Sequence, residues 1–129
     1  MVLSSYNIVS AATCYLAGIE LEAHRYKDAL FNVNQAQKTA EQSNILRCGE
    51  AAMMLGRILE AQHLYDPDAE EAFRKAIAIL APTDLLAARI RAHDLLGRHL
   101  LKIGRETQGE EELDRARELA HQAMFSHHK

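Results

Sequence analysis

The stretch Leu55-Gly56-Arg57-Ile58-Leu59 decides the fold, because it returns later in the chain as Leu96-Gly97-Arg98-His99-Leu100. Recurrence at a period of roughly 20 to 50 residues is typical of repeat proteins, in which each repeat is one supersecondary unit stacked against its neighbours. A small, a large and a small residue follow both copies at spacings of four and three: Ala69, Phe73 and Ala76, then Gly109, Leu113 and Ala116. A more degenerate first copy has Leu16-Ala17 followed by Ala29, Val33 and Ala36. The sequence therefore predicts three copies of one unit.

Each unit is predicted to be a pair of helices. The chain has only 6 glycines and 2 prolines in 129 residues and is rich in alanine, leucine and long charged side chains, which favour helix. No run of alternating β-branched residues indicates a strand. Helices that cross at small residues can pack closely, and each crossing has them. These small residues are Ala17, Ala29, Gly56, Ala69, Gly97 and Gly109.

We expect one all-α domain over residues 1–129, with six helices in three hairpins. The hairpins are expected over about 5–42, 45–81 and 83–123, and a frayed tail over 124–129. The individual helices are expected at about 5–23, 26–42, 45–65, 68–80, 83–103 and 107–123. Asp68 is expected to cap the fourth helix, and Glu70-Glu71 suit the positive end of its dipole.

These residues resemble the tetratricopeptide repeat (TPR) family. The middle unit carries the resemblance best, with Leu55, Gly56, Ala69, Phe73, Ala76 and Pro82. The first unit matches at Tyr26 to Leu30, Val33 and Ala36, and the last at Leu96, Gly97, Gly104, Gly109, Leu113 and Ala116. The chain departs from the family in having no Trp and in its spacings of 39 and 41 residues, which longer helices and an extra loop residue near Asp66-Pro67 account for. The resemblance implies a right-handed superhelical array, of the long-repeat type found in bacterial signalling and regulatory proteins.

The charge pattern excludes some functions and raises a question about the first helix. With 15 basic and 18 acidic residues the net charge is −3, and no Lys/Arg-rich segment indicates nucleic-acid binding. Residues 1–19 carry no charge, yet polar residues interrupt them and no basic segment precedes them, which argues against a signal peptide or membrane span. Three explanations stay open for this uncharged helix: a domain cut from a longer array, a homodimer formed through residues 1–19, or an end covered by Tyr6 and Tyr15.

Neither a metal site nor a catalytic site is indicated. Cys14 and Cys48 are isolated thiols, expected in a reducing, cytoplasmic setting. The histidines have no metal-ligand spacing, since His93 and His99 fall on different helix faces and the others lie near the C-terminus. The carboxylate runs Glu70-Glu71 and Glu110-Glu111-Glu112 are interpreted as solvated first turns of helices. Asp94 beside His93 or His99 lacks a third catalytic group. We expect a protein that is not an enzyme and needs no cofactor.

The groove of a TPR-type array is where the resemblance places the partner site. The register puts Cys14, Gly18 and Leu21 of the first unit on its wall, then Glu50, Met53, Arg57 and Glu60, then Arg91, Asp94, Arg98 and Lys102. The residues expected to contact the partner are Met53, Arg57, Arg91, Asp94, Arg98 and Lys102. Arg57 and Arg98 hold equivalent places and suit carboxylates or phosphates of a ligand. The alternative is that they only form ion pairs with Glu50, Glu60 or Asp94.

These observations favour a non-catalytic module that binds a protein or peptide in its groove, within a signalling or regulatory assembly. Met54 replaces an asparagine of the chaperone-type carboxylate clamp, which disfavours a chaperone tail as the ligand. Two alternatives remain: self-association through the uncharged first helix, and a peptide or small-molecule sensor domain of a transcriptional regulator.

Overall fold

The computed structural model describes residues 2–127, and the side chains of residues 5–125. Within that range the chain is all-helical, with no strand. The six helices are α1 (Val2–Glu22), α2 (Tyr26–Ala40), α3 (Ile45–Gln62), α4 (Pro67–Leu80), α5 (Leu86–Lys102) and α6 (Glu106–His127). The predicted all-α fold with six helices is confirmed.

Contacts between the helices follow the order of the chain. The most extensive contacts join α1 with α2, α3 with α4, and α5 with α6, which defines three hairpins. The first helix of each later hairpin also packs on both helices of the hairpin before it, so α3 contacts α1 and α2, and α5 contacts α3 and α4. The helices α1, α3 and α5 therefore form a continuous row.

The turns inside the hairpins explain one of the two residues by which the spacings of the copies differ. The first and third turns each have one left-handed residue, His24 with φ 60° and Gly104 with φ 86°. In both turns the next residue's N–H donates to a carbonyl five residues back: Arg25 to Glu20, and Arg105 to Leu100. The second turn, residues 63–66, is longer than the other two by one residue.

Some helix ends differ from the prediction. Asp66, not Asp68, caps α4: its Oδ1 accepts from the Asp68 N–H at 2.9 Å, and Pro67 occupies the first helical turn. The α5 helix starts only at Leu86, because the Thr83 hydroxyl accepts from the Leu85 N–H and holds this segment in a turn.

The expected tail also differs from the structure. We expected fraying over residues 124–129, but α6 continues through His127. Residues 128 and 129 lie outside the described range.

The helix crossings depend on small residues, as predicted. A Cβ added at Gly56 would lie 2.6 Å from the Phe73 ring, and one at Gly97 would lie 3.0 Å from the Gly109 carbonyl oxygen. Ala17, Ala29 and Ala69 are fully buried at the equivalent crossings. The Leu-Gly pairs are therefore packing residues, because no side chain fits where the paired helices touch.

The outward face of α1 is apolar. Ile8 is 66% exposed, Tyr15 73% and Ile19 52%, and these three share one face with Ala12 and Leu16. No helix in the described part of the chain is long and apolar enough to cross a bilayer.

Candidate functional site

A groove of about 1120 Å³ runs across the row of first helices. Its walls come from α1, α3, α5 and α6. The lining is apolar along its floor, with Met54, Ala88, Ile90 and Leu113 among its residues. Charged residues interrupt the apolar lining, and five of these are arginines: Arg47, Arg57, Arg91, Arg98 and Arg117. The acidic residues in the lining are Glu50 and Asp94.

Five of the six expected partner-contact residues line this groove. They are Met53, Arg57, Arg91, Asp94 and Arg98. Met53 is only 4% exposed, because it also packs in a core cluster with Ala52 and Ala92. Lys102 does not line the groove; its Nζ lies 2.9 Å from Glu60 Oε1.

Several other positions expected on the wall are instead covered by the next hairpin. Gly18 lies against the Met54 side chain, Leu21 packs at the same α1–α3 contact, and Glu60 reaches across to α5. The reason is geometric: Gly18, Leu21 and Glu60 face the first helix of the following hairpin. On α5, Arg98 at the position of Gly18 lines the groove, whereas Leu101 at the position of Glu60 packs near Gly109.

Two arginines of the groove are held by acidic neighbours within the lining. Arg98 Nε lies 2.9 Å from Asp94 Oδ1, one helical turn away. Arg47 lies 2.5 Å from Glu50 Oε1 and also donates to Asn7 on α1. For Arg98 the intramolecular pairing anticipated as the alternative is therefore present, although its side chain stays 66% exposed.

Arg57 and Arg91 are the two arginines of the groove without a close carboxylate partner. The Arg57 guanidinium is 3.9 Å from Glu22, a carboxylate that is 78% exposed, so this ion pair is weak, and its Nη1 also donates to the Met54 Sδ at 3.9 Å. Within residues 5–125 Arg91 makes no hydrogen bond or ion pair. Glu50 and Asp94 of the lining neutralise Arg47 and Arg98, and Asp114, outside the lining, pairs with Arg117 at 2.5 Å. The groove therefore carries excess positive charge, although the chain as a whole is negative.

The wall formed by α6 was missed by the sequence reasoning. Leu113 and Ala116 were assigned only to the packing of the last hairpin, yet both line the groove together with Arg117 and Ala120. Their counterparts on α4, such as Phe73 and Ala76, are covered by α5. The constant spacing of 40 residues is the sequence signal that could have found this wall, because it places Leu113 and Ala116 on the helix face of α6 that corresponds to Phe73 and Ala76 on α4.

The Cys14 thiol at the groove is not activated. Desolvation by burial, and secondly the charge of Glu50, raise its pKa from 9.0 to about 11, against the opposing effect of nearby arginines. Burial also raises the pKa of Cys48. Both cysteines are free, and each Sγ faces a backbone carbonyl, of Glu50 and Ala40 respectively. A raised pKa lowers the thiolate fraction, which nucleophilic chemistry and metal binding require.

The histidine–carboxylate pairs link helices to each other. His99 is 1% exposed; its Nδ1 lies 2.8 Å from Glu60 Oε2 on α3, and its ring packs on Phe73. His93 Nδ1 lies 3.1 Å from Glu112 Oε2 on α6. Neither histidine pairs with Asp94, which is bound to Arg98.

The burial of Glu112 contradicts the predicted solvent exposure of one carboxylate run. The run Glu110 to Glu112 was interpreted as a solvated face, but Glu112 is only 7% exposed because it pairs with His93 and Arg115. Among the described residues no group of three or more His, Cys, Asp and Glu side chains is arranged to hold a metal ion.

No protein-family model, curated protein or solved structure matches the chain. The assignment to the TPR family therefore stays a prediction, which rests on the repeated residues themselves.

Proposed function

We propose that the three hairpins form a right-handed TPR-type array whose groove binds a peptide or helix of a partner protein that carries acidic residues. The module is non-catalytic and acts in a signalling or regulatory assembly in the cytoplasm. The observation that carries this proposal is the pair of arginines without a close carboxylate partner, Arg57 and Arg91, in a groove with a largely apolar lining.

The lining suits an amphipathic segment. Met54, Ile90 and Leu113 offer apolar contacts, and a methionine side chain adapts to ligands of different shape. An amphipathic helix in a groove presents anchors at a spacing of three or four residues. Acidic residues beside those anchors would pair with guanidinium groups, which bind carboxylates with two parallel hydrogen bonds. An apolar segment flanked by Asp or Glu is the ligand that this combination favours.

The size of the groove favours a peptide over a small molecule. Small-molecule sites usually have volumes of about 300–1,000 Å³. The groove exceeds that range at about 1120 Å³ and extends over four helices. The sensor function is therefore less well supported than peptide binding.

A peptide-library selection tests the proposal. Random peptides displayed on phage are selected on the wild-type protein and, in parallel, on the double variant Arg57→Glu/Arg91→Glu. Enrichment of sequences that combine apolar anchors with Asp or Glu is expected on the wild type, and loss of these sequences on the variant. Lys38→Glu on α2 is the control, since Lys38 is exposed and does not line the groove. Equal retention by wild type and double variant, or no enrichment on the wild type, contradicts the proposal.

Self-association is a second candidate function, and the exposed apolar face of α1 is the observation that favours it.

A further inference from the structure

The α1 stripe is a continuous apolar surface formed by Ile8, Ala12, Tyr15, Leu16 and Ile19. Successive spacings of four, three, one and three residues put all five on one helix face. None of the five is charged, and the four large side chains are 41–73% exposed. A contiguous exposed apolar patch marks an interaction surface, and the α1 stripe is such a patch.

The same positions are buried or half-buried in the two later copies. Leu16 corresponds to Leu55 and Leu96, and Leu96 is fully buried. Ile19 corresponds to Ile58 and His99, which are 0% and 1% exposed. On α3 and α5 this face packs against the preceding hairpin. The α1 stripe therefore corresponds to the faces by which α3 and α5 each pack on the preceding hairpin.

A matching surface lies at the other end of the array. The α6 surface consists of Leu113, Ala116 and Ala120, which follow Phe73, Ala76 and Leu80 of α4 at a constant spacing of 40 residues. The α4 residues are buried beneath α5, with exposures of 0–1%. The α6 residues line the groove instead. Within the described chain, no hairpin packs on the α6 surface in the way that the third hairpin packs on α4.

The charges at the two ends are complementary in the same register. At the existing α4–α5 contact, Arg105 donates Nε to Gln108 at 2.7 Å and reaches Glu70 of the preceding hairpin at 2.5 Å. Arg25 holds the equivalent place and also contacts the residue three positions on, where it forms an exposed ion pair with Asp28 at 2.7 Å. Glu110 stands on α6 where Glu70 stands on α4. If the first hairpin of a second copy packs on α6 in the way that α5 packs on α4, its Arg25 lies next to Glu110 of the first copy.

We propose that copies of this chain associate head to tail, with the α1 stripe of one copy docked on the α6 surface of the next. The contact repeats the α4–α5 packing between two chains. Such an interface joins two different surfaces, so each added copy leaves one stripe and one α6 surface free, and the assembly grows without closing at a dimer. The α6 surface is one side of the groove, but the association does not depend on peptide binding.

Light scattering over a concentration series is the first test, with a complementation experiment as the decisive one. Wild-type mass is expected to rise with concentration beyond that of a dimer. Ile19→Asp disables the stripe and Ala120→Arg disables the α6 surface; both positions are at least partly exposed, and circular dichroism checks that each variant folds. Each variant alone is expected to be a monomer. Mixed in equal amounts, they are expected to form a one-to-one complex through the one intact surface on each.

A second complementation experiment reverses the charges of two exposed residues, where a substitution does not disturb the core. Arg25→Glu and Glu110→Arg are each expected to weaken the association about tenfold or more, and a mixture of the two single variants restores it because the reversed charges meet across one contact.

Three results would overturn head-to-tail association. A wild-type protein that stays monomeric up to about millimolar concentration has no such contact. A mass that levels off at the dimer, with Ala120→Arg still dimeric, indicates that two α1 helices pair with each other. Failure of the two disabled variants to complement excludes two distinct surfaces. Because Ile19 does not line the groove, Ile19→Asp should still bind peptides from the selection, which separates this inference from the proposed function.

Discussion

Gly56→Ala against Gly18→Ala tests whether the Leu-Gly pairs act in packing. A Cβ at position 56 would lie 2.6–2.9 Å from three ring atoms of Phe73, and that ring is 1% exposed and cannot move without opening the core. A Cβ at position 18 would meet only the Met54 Cε at 3.2 Å, the end of a flexible side chain. The same chemical change therefore has opposite consequences at two helical glycines.

The magnitudes follow from two opposing contributions. Overpacking a core costs about 1–3 kcal/mol, while alanine in place of glycine inside a helix stabilises by about 1 kcal/mol. Because the Phe73 ring cannot move aside, the overpacking cost is taken from the upper part of that range, about 2–3 kcal/mol, so Gly56→Ala is expected to lower the free energy of unfolding by about 1–2 kcal/mol, which corresponds to a Tm about 3–10 °C lower. Gly18→Ala should leave it unchanged or raise it by up to about 1 kcal/mol.

Urea unfolding followed by circular dichroism measures both variants against the wild type. A shifted midpoint with an unchanged slope reports stability alone. If Gly56→Ala is as stable as the wild type, or if both variants shift by the same amount, the Leu-Gly pair is not required for close packing of the helices.

Three further predictions concern single side chains. In a Cys48→Ser background, Cys14 at pH 8 should react with iodoacetamide about a hundredfold more slowly than in the urea-unfolded chain, because its pKa of about 11 leaves little thiolate; similar rates would contradict its burial. Burial alone would raise the pKa of Glu70, but hydrogen bonds from arginines outweigh it and lower that pKa below 4.5, so its stabilising effect is present above about pH 4.5 and is lost as the pH falls. Glu70→Gln should therefore destabilise by about 0.5–1 kcal/mol at pH 7 in thermal unfolding, and a deficit that persists at pH 3 would argue against the ion pairs. Asp66→Ala should cost about 1 kcal/mol by removing the α4 cap, whereas Asp68→Ala should cost less; the reverse order in urea unfolding would restore Asp68 as the cap.

The repeated residues made most of the fold predictable. Leu-Gly and the small residues that follow it specify where helices cross, and Gly56 and Gly97 lie at those crossings. The α4 cap was missed because two aspartates flank Pro67; a proline in the first helical turn makes the preceding Asp66 the better choice. Local sequence thus predicted the helices themselves, and the errors lie at helix ends, such as the α4 cap and the start of α5.

The site was predictable in part, for a physical reason. Repeat register placed Arg57, Arg91 and Arg98 in the groove, since equivalent positions share a helix face. It did not show which equivalent positions a later hairpin covers, and so Glu60 was expected to be open although it pairs with His99. Burial of Glu112 was likewise missed, because only the neighbouring helix supplies its partner His93.

We propose that Arg57 and Arg91 make this groove a site for acidic segments. The measurement that tests it most directly is the Kd, by fluorescence anisotropy, of one selected peptide for the wild type, Arg91→Glu and Lys38→Glu. Charge-assisted hydrogen bonds contribute about 1.5–3 kcal/mol, so Arg91→Glu should weaken binding about tenfold or more, with Lys38→Glu unchanged. Equal Kd values for all three proteins would contradict the account.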